Sequence, residues 1–151
     1  MTTPHRIDDL FARLKKEKRK ALVAYLVAGD PDLATTAQLV PALVEAGADI
    51  IELGIPFSDP LADGIVNQLG CQRAIESGTT LPKVLQLIAQ LRQEKCQVPL
   101  VLFTYYNPVF AFGREKFEAA ATQAGADGLL ILDLPPEEAA HDLPPGSPLR
   151  R

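Results

Sequence analysis

Two carboxylates eleven residues apart, Glu52 and Asp63, frame the segment in which this sequence concentrates its chemistry. Glu52 belongs to the run Asp49-Ile50-Ile51-Glu52-Leu53, where strand alternation puts it on one face with Ile50 and opposite Ile51 and Leu53. At the carboxyl end of a buried parallel strand, desolvation lifts a carboxyl group toward the range of a useful general acid or base. A structural carboxylate, paired with an Arg or accepting from loop amides, also fits that place. The next segment, Gly54-Ile55-Pro56-Phe57-Ser58-Asp59-Pro60-Leu61-Ala62-Asp63-Gly64, is stiffened by two prolines. Folded back, it sets Asp63 across a bound ligand from Glu52, two carboxylates in different surroundings. Asp59 and Asp63 are equally suited to capping the first amides of the following helix.

The elements that must hold these groups alternate regularly. Ile7, Leu10, Phe11 and Leu14, with Asp8 and Asp9 ahead of them and lysines behind, form an amphipathic opening helix. Ala21 to Ala28 is an almost continuous apolar run, as expected of a strand buried on both faces, and Gly29-Asp30-Pro31 closes it. Leu33, Ala37, Leu39, Leu43 and Val44 mark a helix from Asp32 to Ala46, kinked at Pro41 and ended by Gly47. Asp49 to Leu53 is the second strand, and Ile65 to Ser77 a helix stopped by Gly78. Thr80 caps another helix carrying Val84, Leu85, Leu87, Ile88 and Leu91. Leu100 to Thr104 is a strand, Tyr105 to Gly113 a loop, Arg114 to Ala124 a helix and Gly128 to Leu132 a fourth strand. Asp133-Leu134-Pro135-Pro136 then opens one more helical turn. Strands alternating with helices predict right-handed crossovers and a parallel sheet.

Ala46-Gly47-Ala48-Asp49 before the second strand returns as Ala124-Gly125-Ala126-Asp127 before the fourth, 78 residues on. Duplicated βα units point to a (β/α) barrel, but such a barrel takes roughly 250 residues and eight strands. The expected architecture is therefore α/β, about four βα units, half of a barrel spanning residues 1–140. Residues 141–151 (HDLPPGSPLRR) read as a disordered Pro/Arg-rich tail, with the character of an out-of-frame end to a longer gene. A four-stranded half leaves two unpaired edges and an open inner face, a docking surface or an aggregation hazard.

Composition excludes several classes of function. With 47% hydrophobic and 23% charged residues the chain is that of an ordinary globular domain, and its net charge of −4 offers no footprint for nucleic acid or an anionic membrane. The run Lys15, Lys16, Lys18, Arg19, Lys20 suits a solvated helix end, where cations complement the helix dipole. Cys71 and Cys96 make neither a disulfide framework nor a zinc motif, which fits a reducing cytoplasm. No signal-peptide core or bilayer-spanning run is expected. His5 and His141 fall outside the core, Ser58 lacks a nucleophile elbow, and no dinucleotide-binding glycine loop occurs.

The fourteen residues Ile51-Glu52-Leu53-Gly54-Ile55-Pro56-Phe57-Ser58-Asp59-Pro60-Leu61-Ala62-Asp63-Gly64 resemble the signature of tryptophan synthase alpha subunits. Ala28-Gly29-Asp30-Pro31, Thr104-Tyr105-Tyr106-Asn107-Pro108 and Asp133-Leu134-Pro135-Pro136-Glu137-Glu138 match in order, so the resemblance runs from Ile7 to Ala140. It implies a (β/α)8 barrel lyase that splits indole-3-glycerol phosphate into indole and glyceraldehyde 3-phosphate. No cofactor of its own is implied; pyridoxal phosphate belongs to the beta subunit, the partner in an alpha2beta2 assembly. Carried over by motif, Glu52 is the acid/base and Asp63 holds the indole N–H as positive charge develops. Tyr25, Phe103 and Leu130 sit where the family lines its indole pocket, although each also reads as plain core. Pro56, Asp59, Asn107 and Pro135 fall in loops that the family turns toward the beta subunit.

The sequence departs from the family in two ways. Ile65 and Asn67 replace the usual proline and aliphatic residue after Gly64, a change expected to loosen Asp63. Strands five to eight and the phosphate-gripping turns have no counterpart here, so activity of the chain alone is expected to be impaired. The competing expectation is a non-catalytic half-barrel that docks on the beta subunit or self-associates.

Overall fold

The computed structural model describes residues 5–135, 137 and 138. Four short strands carry the apolar runs: β1 (Val23–Val27), β2 (Ile50–Gly54), β3 (Leu100–Thr104) and β4 (Gly128–Ile131). Around them lie α1 (Arg6–Glu17), α2 (Leu33–Glu45), α3 (Ile65–Glu76), α4 (Leu81–Gln93), α5 (Tyr106–Phe112) and α6 (Arg114–Ala124). The strands form one parallel sheet in the sequential order β1-β2-β3-β4. A sheet that never reverses its order collects its crossover helices on one face. That face holds the main core: Ile51, Leu53, Leu100 and Leu102 pack against Val40 of α2, Val84 and Ile88 of α4, and Phe117 and Ala121 of α6.

The other face carries Tyr25, Glu52, Val101, Phe103 and Leu130, all half-buried or exposed. At its amino-terminal end α1 closes it, Leu10 and Leu14 packing on Ile50 with Ala21 and Val101. The carboxyl-terminal end stays open.

Two aspartates set the strand register. Asp49 Oδ2 accepts the Leu22 amide at 2.9 Å, and Arg19 grips the same carboxylate through both terminal nitrogens. Asp127 Oδ2 accepts the Leu100 amide at 2.9 Å and is held by Arg92 and Arg6. These are the last residues of the two Ala-Gly-Ala-Asp repeats. Gly47 (φ 106°) and Gly125 (φ 92°) supply the left-handed turns that end α2 and α6 ahead of them.

Several expectations need correction. The segment 105–113, expected as loop, contains α5. The first strand is half-buried rather than covered on both faces, because it is a sheet edge among the described residues. Leu39 turns outward while Val40 takes the buried position on α2, which runs unbroken through Pro41. Thr80 holds the N-cap place of α4 without a side-chain capping hydrogen bond. The expected tail, 141–151, lies outside the described residues.

Candidate active site

The carboxyl-terminal ends of the strands bring the sequence's candidate groups to the open face. Glu52 is opposite Tyr25 on β1 and Val101 on β3. It is half-buried, and among the described residues no ion pair or hydrogen bond engages its carboxylate. Its oxygens are not buried away from solvent, so the carboxylate is left available to a ligand without the cost of an unpaired buried charge. The structural reading of Glu52, pairing with an Arg or loop amides, therefore finds no support in the geometry.

Asp63 is held firmly. Its Oδ2 accepts the Tyr105 hydroxyl at 2.9 Å, its carbonyl accepts the Gln68 amide nitrogen at 2.8 Å, and its own N–H donates to the Pro60 carbonyl. Asn67 Nδ2 approaches Oδ1 at 3.5 Å, a long contact that adds little. With Ile65 and Asn67 in place, Tyr105 still engages the Asp63 carboxylate, and Gln68, in the first turns of α3, engages its carbonyl. Neither Asp59 nor Asp63 caps α3, whose N-cap is Gly64 without any side-chain bond. Asp59 instead accepts the Ser58 hydroxyl at 2.8 Å.

Tyr105 is the group that sequence reasoning missed. Its hydroxyl accepts the Ala62 N–H and donates to Asp63, clamping the end of the loop, and its ring lies 5.5 Å from Phe57. Burial and the bond to Asp63 push its hydroxyl above the ordinary tyrosine value. The signal was its position, a phenol one residue beyond a strand's carboxyl end.

Tyr25 and Phe103 meet edge to face at 5.1 Å, and Leu130 pairs in register with Phe103. The Tyr25 phenol lies across Gly54, where a Cβ would come within 2.4 Å of the hydroxyl. Burial first, and then the negative charge of Cys71, Asp63, Tyr105 and Glu52, drives the Tyr25 hydroxyl well above its usual range. One neutral phenol thus lies within electrostatic reach of both candidate carboxylates. α3 backs this wall: Gly70 sits against Val27 and Asp30, and Arg73 holds Asp30 with two bonds of 2.7 Å.

The expected partner-facing residues occupy the rim. Pro56 is half-buried, while Asp59, Asn107 and Pro135 are exposed. The Tyr106 amide donates to Asp133 at 2.6 Å, joining the start of α5 to the segment after β4 beside a cleft of about 280 Å³ lined by Asn107, Phe110 and Leu134. Among the described residues no helix is long and apolar enough to cross a membrane.

An apolar, partly open sheet face, one free and one anchored carboxylate, and a rim around them suit proton transfer on an aromatic ligand with stabilisation of a developing cation. Comparison with known proteins identifies the chain's relatives. The family model for the tryptophan synthase alpha chain matches residues 11–144. The tryptophan synthase alpha chain of Citrifermentans bemidjiense is 61% identical over 136 residues, which are 90% of this chain and 51% of that protein. Its counterpart from Geobacter sulfurreducens is 58% identical over the same shares. The crystal structure of tryptophan synthase subunit alpha from Legionella pneumophila superposes with a TM-score of 0.89 at 42% identity, over 92% of this chain and 53% of that one. The chain spans about half the length of the curated relatives it matches.

Proposed function

The chain belongs to the tryptophan synthase alpha chain family, and from that premise we propose that it carries the acid–base centre of indole-3-glycerol phosphate cleavage. The four strands are half of the family's barrel. The reaction is a lyase step that yields indole and glyceraldehyde 3-phosphate, on the route to tryptophan, in the cytoplasm.

The observation that carries this reading is the contrast between Glu52, half-buried and unpartnered, and Asp63, anchored by Tyr105. Protonation of the ring carbon that bears the glycerol chain makes an indolenine cation. Asp63, a fixed carboxylate, holds the ring N–H while that charge exists. Glu52 moves the protons: it serves the ring carbon and takes the proton of the adjacent glycerol hydroxyl. The carbon–carbon bond then breaks, its electrons restoring the aromatic ring and leaving an aldehyde. Tyr25, Phe103 and Leu130 form the apolar wall against which the indole lies.

Pro56, Asp59, Asn107 and Pro135 form the rim that docks on the beta subunit, which holds the pyridoxal phosphate, in an alpha2beta2 assembly. Exposed prolines with a rim carboxylate suit such a surface. The alpha reaction itself draws only on side chains.

The test is indole release from indole-3-glycerol phosphate, measured with the beta subunit present. Glu52→Gln is expected to lower it about 10²- to 10⁴-fold. Equal release by the two proteins would remove Glu52 from the mechanism. The exposed rim of Asp59, Asn107 and Pro135 favours a second reading, a docking module without turnover. Co-purification with the beta subunit, without indole release by either protein, selects it.

A further inference from the structure

Tyr25 belongs to the wall of the site, yet an apolar wall gives its hydroxyl no task. Tyr25 is in register with Glu52, and its ring crosses from β1 onto β2 so that the phenol tip lies over Gly54. Gly54 is the next residue after Glu52 on the same face, about 7 Å further along the strand. Past Gly54 the Ile55 amide still pairs with the Phe103 carbonyl, and Tyr105, two residues after Phe103, holds the Asp63 carboxylate. Along the strand axis the order is therefore Glu52, the Tyr25 hydroxyl, Asp63.

The surroundings of the hydroxyl agree with this order. The groups that act on it electrostatically are Cys71 of α3, Asp63, Tyr105 and Glu52, so its setting is built by β2, the loop after it, α3 and the end of β3. Burial and these neighbours hold the phenol protonated, a donor. Among the described residues it makes no hydrogen bond, although a phenol withdrawn from water normally finds a partner. An uncommitted donor thus stands between the two carboxylates to which the lyase reading gives one ring.

A ring that gives its N–H to Asp63 and carbon 3 to Glu52 presents the atom between them, carbon 2, to the Tyr25 hydroxyl. We propose that Tyr25 is a specificity-determining residue whose hydroxyl reads ring position 2 and favours bicyclic heteroaromatic ligands with a hydrogen-bond acceptor there. Asp63 accepts the ring N–H, Tyr25 donates to the adjacent ring nitrogen, and the two bonds together recognise an N–H/N edge. Indole carries C–H at that position and leaves the hydroxyl unpaired. The proposal rests on the lyase reading for the roles of Glu52 and Asp63.

Indole and indazole have nearly the same shape and differ at position 2, CH in the first and nitrogen in the second. Their dissociation constants are measured by calorimetric titration of the purified 151-residue chain and of its Tyr25→Phe variant. Indazole is the stronger N–H donor toward Asp63 in both proteins, and taking the ratio of the two affinities within each protein cancels any general loosening of the wall. The preference for indazole is expected to be about 3- to 10-fold greater with Tyr25 than with Phe, one hydrogen bond's worth. 7-Azaindole, whose acceptor lies on the other side of the N–H, is expected to show no such dependence on Tyr25. A preference for indazole unchanged by Tyr25→Phe, or an equal dependence shown by 7-azaindole, overturns the proposal while indole binding leaves the lyase reading standing. No indole binding by the unaltered chain, or indole binding unmoved by Asp63→Asn, overturns the lyase reading and the proposal with it.

Discussion

At the scale of single residues, the site rests on how differently two carboxylates are treated. Glu52 has been left without a partner at a strand end, while Asp63 is tied through its side chain, its carbonyl and its amide. Tyr105 makes the difference, and Tyr105→Phe tests it. The variant keeps the ring against Phe57 but frees both the Ala62 amide and the Asp63 carboxylate. Stability is expected to fall by about 1–3 kcal/mol, two hydrogen bonds' worth, in a urea titration. Indole release is expected to fall further, by about 10²-fold, as displacement of a catalytic group by an ångström commonly costs. Gly54→Ala acts on the wall instead: the new methyl displaces the Tyr25 phenol. Its expected signature is a changed near-ultraviolet circular dichroism spectrum, with the far-ultraviolet spectrum retained. Strand alternation and loop composition made Glu52 and Asp63 candidates in the sequence, and the structure brings both to the carboxyl-terminal ends of the strands. Tyr105 was not a candidate, since nothing in a run of Thr-Tyr-Tyr-Asn-Pro says which phenol points back at a loop forty residues earlier.

At the scale of elements, the strand positions were legible because each apolar run has glycine, proline or aspartate at one end at least, and the four strands fall on those runs. α5 was hidden by Asn107-Pro108, which reads as a turn. Pro108 lies in the first helical turn, where an amide has no intrahelical acceptor to lose. The open edge at β1 was hidden for a different reason: an apolar run states only that burial is wanted, not which neighbour supplies it. Asp49 and Asp127 look alike in sequence and hold their strands alike, yet their loss is expected to differ. Arg92 beside Asp127 is 11% exposed, whereas Arg19 beside Asp49 is 47% exposed. Asp127→Ala unpairs the Leu100 amide and leaves the buried Arg92 guanidinium without its carboxylate, bonded only to the Gly125, Cys96 and Val98 carbonyls, and is expected to cost about 3–5 kcal/mol. Asp49→Ala leaves Arg19 free to turn to water, so the expected loss is about 1–3 kcal/mol, for the Leu22 amide alone. Urea midpoints of the two variants at one protein concentration decide the order.

At the scale of the whole molecule, stability has an acid limit and an alkaline limit that the contacts define. Arg73 holds the Asp30 carboxyl below its ordinary value, the Thr35 amide does so for Asp32, and Arg19 with the Leu22 amide for Asp49. A carboxyl group lowered by folding stabilises above its unfolded value of about 3.9, and that contribution is lost as pH falls through the folded value. The buried phenols of Tyr25 and Tyr105 are raised, so their contribution is present below about pH 10 and is lost as pH rises from there. Urea midpoints are expected to fall below about pH 4 and above about pH 10, and Tyr25→Phe is expected to weaken the alkaline loss. The aspartate locks also bear on the order of events in folding. Each joins a strand to its predecessor across 27 residues, while the central seam joins Ile51 to Leu100 across 49. Closing the longer loop costs only about 0.5 kcal/mol more, but it rewards the chain only once both locked pairs exist to be joined. Each β-α-β pair is thus a unit that can form early, and amide protons along β2 and β3 should record in their exchange rates a seam that zips last and opens first.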